Sequence, residues 1–87
     1  MPYDNRNHYY LEVGNIRVTY VPSEDRDANS DWSGFNVIRI QAYRNDENKS
    51  LHLGAELPIE SSETFIELIS ALCSVYNNGR NNNWKRI

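Results

Sequence analysis

Eighty-seven residues, 39% apolar and 24% charged with a net charge of −3, are enough for one domain with a small core; a chain this short buries about two-thirds of its unfolded surface, so a second copy would help it. The acidic balance disfavours non-specific binding to duplex nucleic acid, which needs a positive field. No apolar run approaches the roughly 20 residues that span a bilayer, the polar start MPYDNRNHYY lacks the character of a secretory signal, and a lone Cys73 excludes an intramolecular disulfide; a cytoplasmic protein is expected.

Residues 8–21 are predicted to form a β-hairpin. Val13-Gly14-Asn15-Ile16 sets a Gly-Asn pair between two alternating runs, a two-residue turn signal. If Val13 faces Ile16, then Leu11 faces Val18 and Tyr9 faces Tyr20, while Glu12 faces Arg17 and Tyr10 faces Thr19 on the other side. Agreement across every pair is what a sheet with one buried face demands. Pro22 ends the second strand because it cannot donate to a ladder. Residues 22–34 form an acidic, patternless loop, long for a connection in a small domain.

A second hairpin is expected over 35–57, with strands at 35–44 and 51–57. Ile38, Ile40 and Ala42 alternate with Val37, Arg39, Gln41 and Tyr43, and Leu51, Leu53, Ala55 and Leu57 alternate with His52, Gly54 and Glu56. Pairing Ala42 with Leu51 or with Leu53 keeps both apolar sets on one side, so parity is set and register is open by two residues. Asn45 to Lys49 is turn-like, and Pro58 closes the strand. A helix follows over 61–78. At about 100° per residue, Phe65, Ile66, Leu68, Ile69, Leu72, Cys73, Val75 and Tyr76 share half of its circumference, with Glu67, Ser70, Ser74 and Asn77 on the other half. Ser61 or Ser62 is the expected N-cap and Asn77-Asn78-Gly79 the stop. Cys73 is expected to be buried. The tail, 80–87, is polar and locally basic, with Trp84 and Ile87 as docking residues. Together these elements predict a single α+β domain over 1–87. It is a four-stranded, mostly antiparallel sheet of two hairpins, with one long C-terminal helix packed on the face that carries Leu11, Val18, Ile40 and Leu53. Strand order is open.

That packing leaves the opposite sheet face free, and two candidate binding surfaces follow. By parity the free face presents Tyr10, Glu12, Arg17, Thr19, Phe35, Val37, Arg39, Gln41, Tyr43, His52 and Glu56. Aromatic and basic groups on an open sheet suit single-stranded bases, but Arg17 opposes Glu12 and Arg39 is within reach of Glu56, which weakens the positive field. Phe35, Val37 and Tyr43 make the face apolar enough to pack on a second copy. In the loop, Asp25, Asp27, Asn29 and Asp31 place oxygens at alternate positions as a calcium loop would, yet Ser30 stands where an EF-hand needs Gly and Asn36 where it needs a bidentate Glu. The loop therefore reads as an acidic contact for a protein partner, with Trp32 as its anchor.

Chemistry is poorly provided for. His8, His52 and Cys73 are the whole His and Cys inventory and lack ligand spacing, so no metal is expected. No nucleophile elbow or Gly-rich phosphate loop exists, and carboxylates such as Glu24 and Asp25 sit where burial cannot tune them. No cofactor and no enzymatic activity are expected. Ile38-Arg39-Ile40-Gln41-Ala42-Tyr43-Arg44, then Gly54-Ala55-Glu56-Leu57, then a helix with Leu68-Ile69, is similar over roughly residues 37–72 to the strand–hairpin–helix pattern of PC4-like single-stranded DNA-binding proteins. That resemblance implies strand binding on the sheet, although the family's lysine-rich stretches are missing here. The expected function is a small protein-binding module, homodimeric, suited to a phage-type inhibitor or adaptor. The alternative is single-stranded nucleic-acid binding through Tyr10, Arg17, Arg39, Gln41, Tyr43 and His52.

Overall fold

The alternation read from the sequence produces four strands, β1 (Tyr10–Val13), β2 (Ile16–Val21), β3 (Asn36–Ala42) and β4 (Ala55–Ile59), followed by α1 (Ser62–Asn81). A computed structural model describes residues 2–44 and 50–81; the expected turn at 45–49 and the docking residues Trp84 and Ile87 lie outside the described residues. The sheet order is β1-β2-β3-β4, and each neighbouring pair is antiparallel. The α+β architecture expected from the pattern is the one observed.

The first hairpin has the anticipated register. Val13 faces Ile16, Leu11 faces Val18, Glu12 faces Arg17 and Tyr10 faces Thr19, and the Tyr20 N–H donates to the Tyr9 carbonyl at 2.9 Å. Gly14 has a φ of 58°, the backbone a II′ turn requires at its first central position. Ahead of β1 the chain doubles back. Tyr3 bridges Tyr9, their rings meet edge to face at 5.6 Å, and the Asp4 carboxylate accepts the N–H groups of Arg6 and His8 at 2.9 and 2.8 Å.

The second hairpin departs from simple alternation. Ile40 faces Ala55 but Tyr43 bridges Leu51, so residues 52–54 oppose only 41–42. This is a β-bulge. Gly54 occupies it, because a Cβ there would lie 1.8 Å from the Ile40 carbonyl oxygen. The bulge puts Leu51 on the side of Tyr43 and leaves Leu53 97% exposed. Residues 51–57 are therefore not one alternating strand. Pro58 does not close the strand but sits within β4 opposite Val37, which an edge strand tolerates because no outward N–H is needed. The helix likewise runs through Gly79 to Asn81 instead of stopping at 78. Its last turn gains the Arg80 guanidinium over the Tyr76 ring at 5.3 Å, an i,i+4 pair that offsets part of the roughly 1 kcal/mol cost of glycine.

The largest correction concerns packing. No residue of α1 is buried, and Cys73 is exposed. Only Phe65 and Leu68 are half-covered, at a junction where Tyr20, Ile38, Ile59 and Phe65 line a cavity of about 340 Å³. Leu11 is 54% exposed and Val18 and Ile40 are half-buried, so the helix does not lie across that face. Among the described residues, those that are buried, Val37 at 0% exposure with Val21, Thr19 and His8, belong to the opposite side. Irregular chain covers them, and irregular chain carries no periodicity to read.

Gly54→Ala should lower stability by about 2 kcal/mol, because backbone must move to admit one methyl. A urea midpoint matching the parent protein would show that the bulge does not approach Ile40 so closely.

Candidate functional site

Two surfaces of opposite character flank the sheet. The polar one is organised by Glu56, which β3–β4 pairing sets beside Arg39. Arg39 Nε donates to Glu56 Oε2 at 2.9 Å. Arg26, from the 22–34 loop, adds a fork: Nη1 to Oε2 at 2.9 Å and Nη2 to Oε1 at 3.0 Å. The Arg26 side chain is only 4% exposed, and it also donates to the Asp31 carbonyl. Bidentate geometry of this kind is among the stronger ionic contacts. Hydrogen bonds from Arg26 outweigh partial burial and, with help from Arg39, hold the Glu56 carboxyl below its ordinary 4.5.

A second cluster lies beyond it. Arg17 stacks over Tyr10 with its guanidinium 4.1 Å from the ring centroid, donates to the Tyr43 hydroxyl at 2.8 Å and pairs with Glu12 at 3.3 Å. The Tyr43 hydroxyl donates to Glu12; that bond lowers the Glu12 pKa and raises that of Tyr43. Gln41 donates to the His52 carbonyl at 3.1 Å, and the His52 side chain is exposed. Val37 is wholly covered, and Phe35 stays exposed where the loop enters β3. The residues expected on an open sheet face are thus largely brought together, but as a closed, mutually bonded layer.

The expected partner loop divides likewise. Asp25 is spent on an internal tie, since its carboxylate accepts from buried His8 Nε2 at 2.8 Å. Asp27 shapes a turn, accepting from Asn29 N–H at 3.0 Å and, through its carbonyl, from the Ser30 hydroxyl at 2.6 Å. Trp32 is 46% exposed with a φ of 62°, a conformation strained for a bulky side chain. The loop tip therefore displays a large aromatic on a bent, hydrogen-bonded turn. Arg26 and His8 are the residues that sequence reasoning missed. The turn formers Asp4-Asn5-Arg6-Asn7 between Tyr3 and Tyr9 are a usable signal for the first fold-back; nothing local marks Arg26.

The other surface is apolar. Leu11, Val13, Ile16 and Tyr20 are exposed on the sheet, and Ile66, Ile69, Leu72, Val75 and Tyr76 on the helix. Among the described residues no group of His, Cys, Asp or Glu is placed to hold a metal, and no helix is long and apolar enough to cross a membrane.

Three outcomes follow from the polar layer and the loop. Arg26→Lys should destabilise by about 2 kcal/mol, because an ammonium cannot form the fork and leaves Glu56 underpaired. Glu56 has a depressed folded-state pKa, so its contribution is complete above the ordinary 4.5 and is lost as pH falls through the lowered value. Urea midpoints should therefore drop as the pH falls below about 4.5, and drop less in Glu56→Gln. Trp32→Gly relieves the positive φ and should change stability by under about 1 kcal/mol; a larger loss in the melting curve would make Trp32 a structural residue. Comparison with family models, with curated proteins and with solved structures gives no match to this chain.

Proposed function

We propose that this protein is a non-enzymatic protein-binding module that works as a homodimer and uses the loop around Trp32, with Asp27 and Asp31, to contact a further partner, as an adaptor or inhibitor does. One observation carries the self-association: the apolar sheet face and the apolar helix face are both exposed in the single chain. The accessible surface is 7179 Å², whereas a folded monomer of this mass exposes about 5,300 Å². The radius of gyration is 15.5 Å, against about 12 Å for a compact chain of this length. The excess is ample for the surface that each subunit of an obligate dimer buries.

The partner reading is supported by Trp32. An exposed tryptophan held at positive φ on a hydrogen-bonded loop is a rigid aromatic beside carboxylates, a combination that suits a basic partner. The non-enzymatic reading is supported by how the covered titratable groups are used: half-buried Glu56 with Arg26, and buried His8 with Asp25, tie separate segments together and so close the fold. Nucleic-acid binding by the sheet finds little support, since Arg17, Arg26 and Arg39 are each engaged by a carboxylate.

Light scattering on a sizing column should give twice 10.2 kDa for the parent chain. Leu72→Glu and Leu11→Lys, both at positions exposed in the single chain, should each shift the mass toward one chain. A parent mass of 10.2 kDa at high concentration would refute the dimer.

A further inference from the structure

The apolar stripe of α1 and the apolar face of the sheet belong to one chain but do not meet. The helix is pinned at its base. Ser61 caps it, its hydroxyl accepting from the Thr64 N–H at 3.1 Å, and Phe65 and Leu68 sit half-covered at the junction with β4. From Ile69 onward every described helix residue is exposed, Val75 to 72%. Twenty residues extend about 30 Å, so more than half of the stripe projects past its seat. The sheet lacks one amphipathic helix; the helix lacks one apolar sheet.

Resting on the reading of this chain as self-associating, we propose that two copies exchange their C-terminal helices, each laying Ile69, Leu72 and Val75 across Leu11, Ile16 and Tyr20 of the other. Two arguments select a second copy as the occupant. The first is area: the chain exposes about 1,900 Å² more than a compact monomer of its mass, and each subunit of an obligate dimer has to bury about 1,000 Å² or more, so the surplus is large enough for an exchange to draw on. The second is closure. Helix-on-helix pairing covers the stripes and leaves both sheets wet, and sheet-on-sheet pairing does the reverse. A two-fold exchange covers the apolar sheet face and the helix stripe of both copies and leaves neither open to a third, so it ends at two.

The test separates this geometry from self-association as such. A Cys73→Ser chain carrying Ser74→Cys, on the polar side of the helix, is spin-labelled at the new thiol and mixed with an isotope-labelled parent chain; Asn77→Cys offers a second label position on the same side. Light scattering records the mass, and relaxation enhancement reports which residues of the isotope-labelled copy lie near the foreign helix. The expected result is a two-chain mass with broadening of Leu11, Ile16 and Val18. A two-chain mass with broadening confined to α1, or with none, overturns the exchange and leaves the homodimer standing. A one-chain mass at high concentration overturns both. In that case, broadening of β1 and β2 when label and isotope share a chain would show the helix folded back on its own sheet.

Discussion

A single carboxylate, Glu56, receives Arg39 from the neighbouring strand and Arg26 from a loop thirty residues earlier in the chain. The contact with Arg26 joins elements distant in sequence, and it draws an otherwise irregular acidic segment down onto the sheet. The same segment carries Asp25 to His8, and Thr19, Val21 and Val37 are buried. The core of the single chain thus lies on the side of the sheet that a polar clamp closes. Among the described residues its fully buried apolar content is two valines, which is little for a domain that must offset the conformational entropy of some eighty residues.

That imbalance shapes the remainder of the molecule. Ordinarily an amphipathic sheet turns its apolar face toward an amphipathic helix. Here the charged face is the one covered from within, and the apolar face and the helix stripe are both left to water in the isolated chain. Folding and association become linked in such an arrangement, because whatever covers those faces stabilises the folded chain by mass action. The helix is well formed in its own right. It has a serine cap at one end and an Arg80–Tyr76 contact at the other, so it can persist while projecting from its seat.

Much of the fold was legible in the residues. The Gly14-Asn15 turn and the alternation around it determine every pair of the first hairpin, and the parity of β3 follows from Ile38, Ile40 and Ala42. Local rules failed where a single residue broke a period. Gly54 inserts a bulge that a strict two-residue alternation passes over, so Leu51 and Leu53 were assigned to the wrong surroundings. Pro58 and Gly79 read as stops, yet an edge strand and a capped helix each accommodate one. The surface residues were also visible as residue types. Arg17 opposite Glu12 and Arg39 beside Glu56 were foreseeable from register alone. Arg26 was not, since nothing in the spacing of an irregular loop says which side of a sheet it will cross.

Periodicity and turn chemistry act over a few residues, and they determined the first hairpin and its pairing, the parity of β3, the helix and the two-sided character of sheet and helix. Which side of the sheet became the interior was decided only in three dimensions. Burial depends on what segment can reach a face, and reach depends on loop path and on long-range bonds such as Arg26 to Glu56. An apolar stripe on the helix states that it must be covered; it carries no information on whether the cover comes from its own chain or from another.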